Sequence, residues 1–161
     1  MKKTIAMALI ASIALIAGGN VAHTLPKVAK ISKKPCNNDT TFVDTKTNLM
    51  WQDAHYTTQE DGAYKNNRSI GKAGNLRYAV NYCRRLNYAG YSDWRLPTKD
   101  ELMEVHRIYG QVFENSRDGD FWSATPATGR KYFVVYPADA YPYERATNKS
   151  YYIRCVRCDA K

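Results

Sequence analysis

A chain of 161 residues, with 24 Lys and Arg against 15 Asp and Glu, carries a formal charge of +9. The length gives room for one domain of ordinary size with a core of its own, and not for two. The positive surplus excludes no soluble class by itself, but among partners it favours polyanions: acidic or sulfated glycans, anionic lipid headgroups or nucleic acid. A solubilising surface without a partner is the plainer alternative.

Lys2 and Lys3 precede an apolar run, Ile5–Ala17, and then the small and polar residues Gly18 to Ala22. That order is the one found in a secretory signal peptide. The run is shorter than the ~20 residues of a membrane span, and no other stretch could cross a bilayer. Membrane contact is therefore expected only in transit, with a retained anchor as the alternative. Cleavage fits after Gly19 or after Ala22, and no cysteine directly follows the run to carry a lipid. Loss of Lys2 and Lys3 leaves +7, still strongly basic. An exported chain rarely meets nucleic acid, so no nucleic-acid partner is expected. Residues 23–35, with Pro26, several lysines and little apolar content, read as a flexible basic leader. The domain proper is read as 36–161.

Thr41–Val43 and Leu49–Gln52 are short β-type runs around a turn, Asp44 to Asn48, in which Asn48 supplies tolerance of positive φ. Trp51 reads as a core aromatic. Asp53–Gly74 shows neither periodicity and is expected to be a long loop. Its His55, Tyr56, Tyr64, Lys65, Arg68 and Lys72 would suit an anionic ligand. Asn75–Tyr88 follows helical spacing, with Leu76, Ala79, Val80, Cys83 and Leu86 on one stripe. Arg77, Asn81, Arg84, Arg85 and Asn87 fall mostly on the other side, as a cationic outer face. Gly90 is expected to cap that helix at its C′ position.

Trp94 and Leu96 are apolar plugs in the turn that follows, and Pro97 keeps Leu96 out of the helical region. Thr98 and Glu101 form a capping box that opens a second helix, Thr98–Tyr109. Leu102, Val105, Ile108 and Tyr109 are expected inward, Lys99, Asp100 and Glu104 in water, and His106 in a structural role. Phe121–Thr125, Lys131–Tyr136 and Tyr151–Cys158 read as strands, with Thr128 to Arg130 as a hairpin turn. Pro137–Ser150, rich in turn residues, reads as a loop carrying Tyr141, Tyr143, Glu144, Arg145 and Lys149.

Four cysteines in an oxidising compartment imply two disulfides. On one strand, Cys155 and Cys158 would point to opposite faces with Cα atoms ~10 Å apart, beyond the roughly 7 Å reach of a bridge. Cys83, on the first helix, then fits Cys155 on the inward face shared with Ile153. Cys36 is left for Cys158.

The ordered segments "NLMWQ" at Asn48–Gln52, "NYCRRL" at Asn81–Leu86, "GYSDWRLPTKDEL" at Gly90–Leu102, "FWSAT" at Phe121–Thr125 and "IRCVR" at Ile153–Arg157 carry a further signal. Together they resemble the DUF1566 family, which includes the C-terminal domain of the Legionella collagen-like adhesin. The resemblance implies an α+β, C-type-lectin-like fold, with two helices packed on a small, mostly antiparallel sheet. The Cys83–Cys155 pairing also resembles the helix-to-last-strand bridge of such folds. In those folds the ligand-bearing loops lie among the late strands.

No metal or other cofactor is expected. The Glu-Pro-Asn, Gln-Pro-Asp and Trp-Asn-Asp tripeptides of calcium-dependent sugar binding are missing. Asp139 and Glu144 are also too few to supply six to eight oxygens. Cys155-Val156-Arg157-Cys158 has no second pair or nearby histidines for zinc, and it lies in a β-rich run rather than at the helix start of a redox motif. No set of nucleophile, base and orienter is visible, so no enzyme is expected. Binding remains. Arg130, Lys131, Tyr132, Tyr141, Tyr143, Arg145 and Lys149 form the candidate patch, since flat rings stack on sugars and guanidinium forks grip carboxylate or sulfate. Arg95, Arg154 and Arg157 are expected to be structural, paired with Asp93 or Glu101. The function read from this is calcium-independent binding of an anionic glycan or surface polymer. Assembly with another periplasmic protein through the Tyr-rich loop is the alternative.

Overall fold

Phe42 and Trp51 face each other across the first hairpin of the computed structural model, which describes residues 40–109 and 111–159. The expected signal peptide, leader and Cys36 lie outside the described residues. The hairpin joins β1 (Thr41–Asp44) to β2 (Leu49–Gln52). The Asp44 carboxylate closes its turn by accepting from the backbone of Lys46 and Thr47, at 2.9 and 3.3 Å. Asn48 takes φ 54°, as its type allows. On the other side of β2 lies β8 (Val156–Cys158), giving a three-stranded antiparallel sheet in the order β1-β2-β8.

The stretch expected to be one long loop contains a helix, α1 (Thr58–Lys65). Its start is a second capping box: Glu60 N–H donates to Thr57 Oγ1 and Thr57 N–H to Glu60 Oε2. Eight residues burying only Glu60 and Ala63 are too few to show a stripe, so periodicity misses this helix. Glu60 does more than cap. Its carboxylate also accepts from the buried Lys72 ammonium at 2.9 Å, which fixes α1 against β3 (Ala73–Gly74).

α2 (Leu76–Arg85) begins at Asn75, whose side chain accepts from Tyr78 N–H at 3.0 Å. Leu76, Ala79 and Cys83 are buried, but Val80 is 40% exposed, so the inward spine is narrower than the expected stripe. Nor is Gly90 the cap of this helix, which ends at Arg85. Ala89 and Gly90 both take positive φ in a two-residue turn, across which Tyr88 and Tyr91 exchange backbone hydrogen bonds of 3.0 Å. Trp94 plugs this turn as expected, buried and donating to Tyr88 and Tyr91 carbonyls.

α3 (Lys99–Tyr109) has the expected capping box, with Thr98 and Glu101 bonding each other's N–H groups at 2.8 and 3.2 Å. Arg95 forks onto the same carboxylate at 2.6 and 2.8 Å. Leu102, Val105 and His106 are buried, His106 edge-on to Phe113, while Ile108 is exposed rather than inward.

The remaining strands are β4 (Phe121–Pro126), β5 (Lys131–Tyr136), β6 (Tyr141–Ala146) and β7 (Tyr151–Tyr152). With β3 they make a five-stranded sheet in the order β3-β7-β4-β5-β6, antiparallel except for β4 with β7. One face packs Trp122 and Val134 against the α2 spine; the other packs Phe121 and Val135 against Leu102 and Val105 of α3. Two expectations change here. The middle of Pro137–Ser150, Tyr141–Ala146, is strand β6, not loop, and Pro142 is tolerated in it because β6 is the sheet's edge. The single last strand is two, β7 and β8, in different sheets. Between them Ile153 N–H donates to the Lys72 carbonyl, and Arg154 turns its side chain into the interior. The class is α+β, with three helices and two sheets among the described residues instead of two helices on one sheet.

Cys83 and Cys155 form the expected disulfide, with Cα atoms 5.5 Å apart across 72 residues of sequence. Cys158 is exposed and forms no disulfide with another described residue; its expected partner, Cys36, lies outside them. No helix of the described residues is long and apolar enough to cross a membrane.

Removing the bridge with Cys83→Ser and Cys155→Ser should cost about 2–5 kcal/mol of unfolding free energy in urea melts. Glu101 has a distinct pH signature. Burial pulls its carboxyl up, but the bonds from Arg95 and Thr98 outweigh burial and hold it below the ordinary glutamate range. Its contribution is therefore complete above the unfolded value of about 4.3 and lost as pH falls through the lower folded value. Glu101→Gln should flatten that acid limb of the stability–pH curve.

Candidate functional site

The residues expected to form one patch are divided between the two faces of the β5–β6 pair. Tyr132, Tyr143 and Arg145 lie on the α2 side of the sheet, because Tyr132 pairs with Arg145 and Val134 with Tyr143. Lys131, one position out of step, faces the other way with Glu144, at 3.8 Å. Tyr132 and Tyr143 are partly buried against the core. Arg145 donates to the Asp120 carboxylate at 3.0 Å and lies over the Tyr143 ring, 5.1 Å from its centroid. Burial raises the Asp120 pKa, and the Arg145 charge offsets this only in part.

The tyrosine hydroxyls are engaged too. Tyr143 donates to Asp139 at 3.1 Å and Tyr136 donates to Asp118. Tyr141, 58% exposed, packs its ring against Tyr143, centroids 5.1 Å apart. Of the expected cations only Arg130 and Lys149 keep exposed side chains without an ion pair among the described residues. A region read as cationic is matched by Asp118, Asp120, Asp139 and Glu144.

The motif arginines are structural. Arg157 donates to Asp93 at 2.7 and 3.1 Å, and that bond holds the Asp93 carboxyl below its ordinary range. Arg154 pairs with Asp53 at 3.0 Å rather than with Asp93 or Glu101. The cations and rings expected in the 53–74 loop divide in the same way. Tyr56 is buried and donates to the Ile153 carbonyl, burial pushing its phenol far above the ordinary value. Tyr64 stacks on Tyr152 at 4.4 Å, and Lys72 is bound to Glu60. His55, Lys65 and Arg68 remain exposed.

The outer face of α2 is different. Arg77, Arg84 and Arg85 are exposed, and none has an ion pair among the described residues. A groove of about 610 Å³ runs beside the helix, lined by Ser69, Asn75, Arg77, Tyr78, Asn81, Tyr82, Arg85, Leu86 and Asn87. A second, of about 520 Å³, shares Asn75, Arg77 and Asn81 and reaches Val80, Thr147 and Asn148. No carboxylate lines either one. Tyr78 and Tyr82, one turn apart, stack at 6.4 Å with planes inclined by 26°. The Gln52 amide donates to the Tyr82 hydroxyl at 3.1 Å and fixes that ring.

Guanidinium groups, carboxamides and flat rings together can grip an anion, bond neutral hydroxyls and stack on an apolar ring face. The sequence showed the arginines as an outer face. It gave no sign that the carboxylates would lie elsewhere, because pairing partners such as Asp120 and Arg145 are distant in the chain.

The contrast has a stability test. Arg145→Ala leaves Asp120 nearly buried without its cation and should cost about 1–3 kcal/mol. Arg77→Ala and Arg85→Ala remove no contact of the fold and should stay within about 0.5 kcal/mol of the parent. Urea unfolding of the three variants measures both.

No curated protein matches the chain. The family model described as the Lcl C-terminal domain matches residues 40–157, the span of both sheets and all three helices, and the chain belongs to that family.

Proposed function

We propose that this chain is an exported, non-catalytic binding module that takes an anionic glycan or surface polymer, without calcium, on the outer face of α2. The supporting observation is the set of unpaired guanidinium groups, Arg77, Arg84 and Arg85, beside grooves without carboxylates. Association of the family with adhesin-like function agrees with binding rather than catalysis. Export rests on the N-terminal sequence, and in that compartment Cys36 and Cys158 are the pair left to form a second bridge. A C-type-lectin-like relationship is part of the same reading. It rests on the ordered motifs and on a helix bonded through Cys83 to the last crossing of the chain.

A second reading, assembly with a protein partner, rests on the exposed Tyr141 at the edge strand β6. The two differ in their dependence on salt. Cation-led glycan binding fades with ionic strength, whereas an apolar contact through tyrosine does not. A glycan array probed with mature protein, with and without chelator at two salt concentrations, separates them. Signals for uronic-acid or sulfated sugars that resist chelator and fall with salt are the expected result. An array blank at both salts moves the function to the protein partner.

A further inference from the structure

Among the described residues, four of the five arginines in ion pairs are held alike. Each guanidinium has a carboxylate beside it and an aromatic ring beneath it. The sets are Arg117 with Asp61 and Tyr56, Arg145 with Asp120 and Tyr143, Arg154 with Asp53 and Phe113, and Arg157 with Asp93 and Tyr91. The carboxylate bonds the edge of the planar fork while the ring attracts its face, so the two do not compete. At the turn end of the β5–β6 hairpin, ring and carboxylate recur twice with no arginine of the chain. Tyr136 donates to Asp118, and Asp139 accepts from Tyr141 N–H at 2.9 Å and from the Tyr143 hydroxyl at 3.1 Å. Neither Asp118 nor Asp139 has an ion pair among the described residues, and Arg117, next to Asp118 in sequence, is held by Asp61. We infer that this end of the hairpin is a docking surface for an extended segment of a partner protein that carries two arginines, one seated at Tyr136 and Asp118 and the other at Tyr141 and Asp139. The inference rests on the second reading above, a protein partner at β6, and gives that partner its chemistry. It is separate from the α2 site, since none of the four residues lines either groove there.

The strand register sets the spacing. Tyr136 and Tyr141 are directly opposite each other, so their Cβ atoms stand ~5 Å apart on one face. Arginines at i and i+2 of an extended segment project to one side ~7 Å apart, which makes the fitting sequence Arg-x-Arg. Asp118, Asp139 and Tyr141 are exposed, and a cavity of about 160 Å³ opens between Asp118, Tyr136 and Pro137. The Asp118 bond, together with the charges of Asp139 and Asp120, holds the Tyr136 phenol above its ordinary value, so the three carboxylates converge there. Arg145 neutralises Asp120 and leaves the other two uncompensated. The unpaired cations Arg130 and Lys149 are at the opposite end of the hairpin, five residue steps or ~17 Å away. Screening over ~8 Å keeps the two ends distinct, so a basic partner meets a locally acidic surface on a chain of net charge +9. Pro142 presents no N–H to the free edge, which disfavours an added strand and leaves the contact to side chains. Lysine fits less well, because its ammonium cannot bond as a fork and lie flat on a ring at once.

The test uses short fluorescent peptides of Gly and Ser that carry Arg-x-Arg, a single Arg, Lys-x-Lys or Glu-x-Glu, titrated against the mature protein by anisotropy. Arg-x-Arg should bind about tenfold more tightly than the single-Arg and Lys-x-Lys peptides, and Glu-x-Glu should not bind. Asp118→Asn and Asp139→Asn keep an acceptor for the tyrosines, and each should weaken Arg-x-Arg by about tenfold, the loss of one charge-assisted contact. Tyr141→Ala should weaken it several-fold, the loss of one ring face. Asp100→Asn removes the same charge from α3 and should change nothing. Unfolding curves matching the parent exclude a folding defect. A single Arg bound as tightly as the pair, or equal losses from Asp100→Asn and Asp118→Asn, overturns the inference, because the attraction is then unspecific. Weakening by Tyr141→Ala alone overturns the arginine chemistry and leaves a protein partner at β6 standing. Binding of no peptide overturns the surface.

Discussion

The guanidinium of Arg154 is the constraint on which this architecture depends. It sits 2% exposed between the two sheets, bonded to the Asp53 carboxylate and the Gln52 carbonyl and lying 3.7 Å from the centroid of Phe113. A buried charge is tolerable only when its partner is held in place. Here the partner is held: Asp53 also accepts from the N–H groups of Glu114 and Asn115. One ion pair thus fastens the end of β2, the loop before β4 and the crossing from β7 to β8. The residues either side of Arg154 complete the junction. Tyr56 donates to the Ile153 carbonyl, and Gln52 N–H donates to that of Cys155.

Cys155 carries that junction out to α2. The helix is bonded to the crossing through Cys83 and seated on Trp122 and Val134 through Leu76 and Ala79. Its position is set by its inner spine together with the bonds of Tyr82 to Gln52 and of Leu76 N–H to the Thr147 carbonyl. Arg77, Arg84 and Arg85 are exposed and form no ion pair among the described residues, so they take no part in holding it. The late strands are in the opposite situation. β6 is an edge strand with no helix sealing its far side, and its Arg145 and Tyr143 are used to neutralise Asp120 and to bond Asp139. Side chains that close an edge are not available to a ligand in the same way.

What the sequence displayed was local chemistry with a short span. The Thr98–Glu101 capping box, the Asn48 turn and the Trp94 and Leu96 plugs all follow from neighbours or from a pattern of two or three turns, and the Cys83–Cys155 pairing from the cysteine count and the geometry of Cys155 and Cys158. The Thr57–Glu60 box was equally legible, but the helix it opens buries too little apolar surface to look like one. Gly90 had the composition of a helix cap and serves a hairpin turn instead, since α2 had already ended at Arg85. The division of Tyr151–Cys158 between two sheets was hidden for a different reason. An apolar, aromatic run reads as one strand unless it is known that Arg154 must reach Asp53, about a hundred residues earlier in the chain.

The site was harder to read than the fold because charge in a sequence has no partner assigned to it. Counting cations favoured the late strands, where Arg130, Lys131, Arg145 and Lys149 lie among tyrosines. Folding brings Glu144 to Lys131 and Asp120 to Arg145, and the local surplus largely vanishes. On α2 the arithmetic runs the other way. Neither adjoining groove receives a carboxylate, and the cations that composition distributes over the whole chain remain uncompensated there. Since an electrostatic field depends on net local charge and not on the number of basic residues, the unpaired positive charge is concentrated on the outer face of the helix rather than on the hairpin.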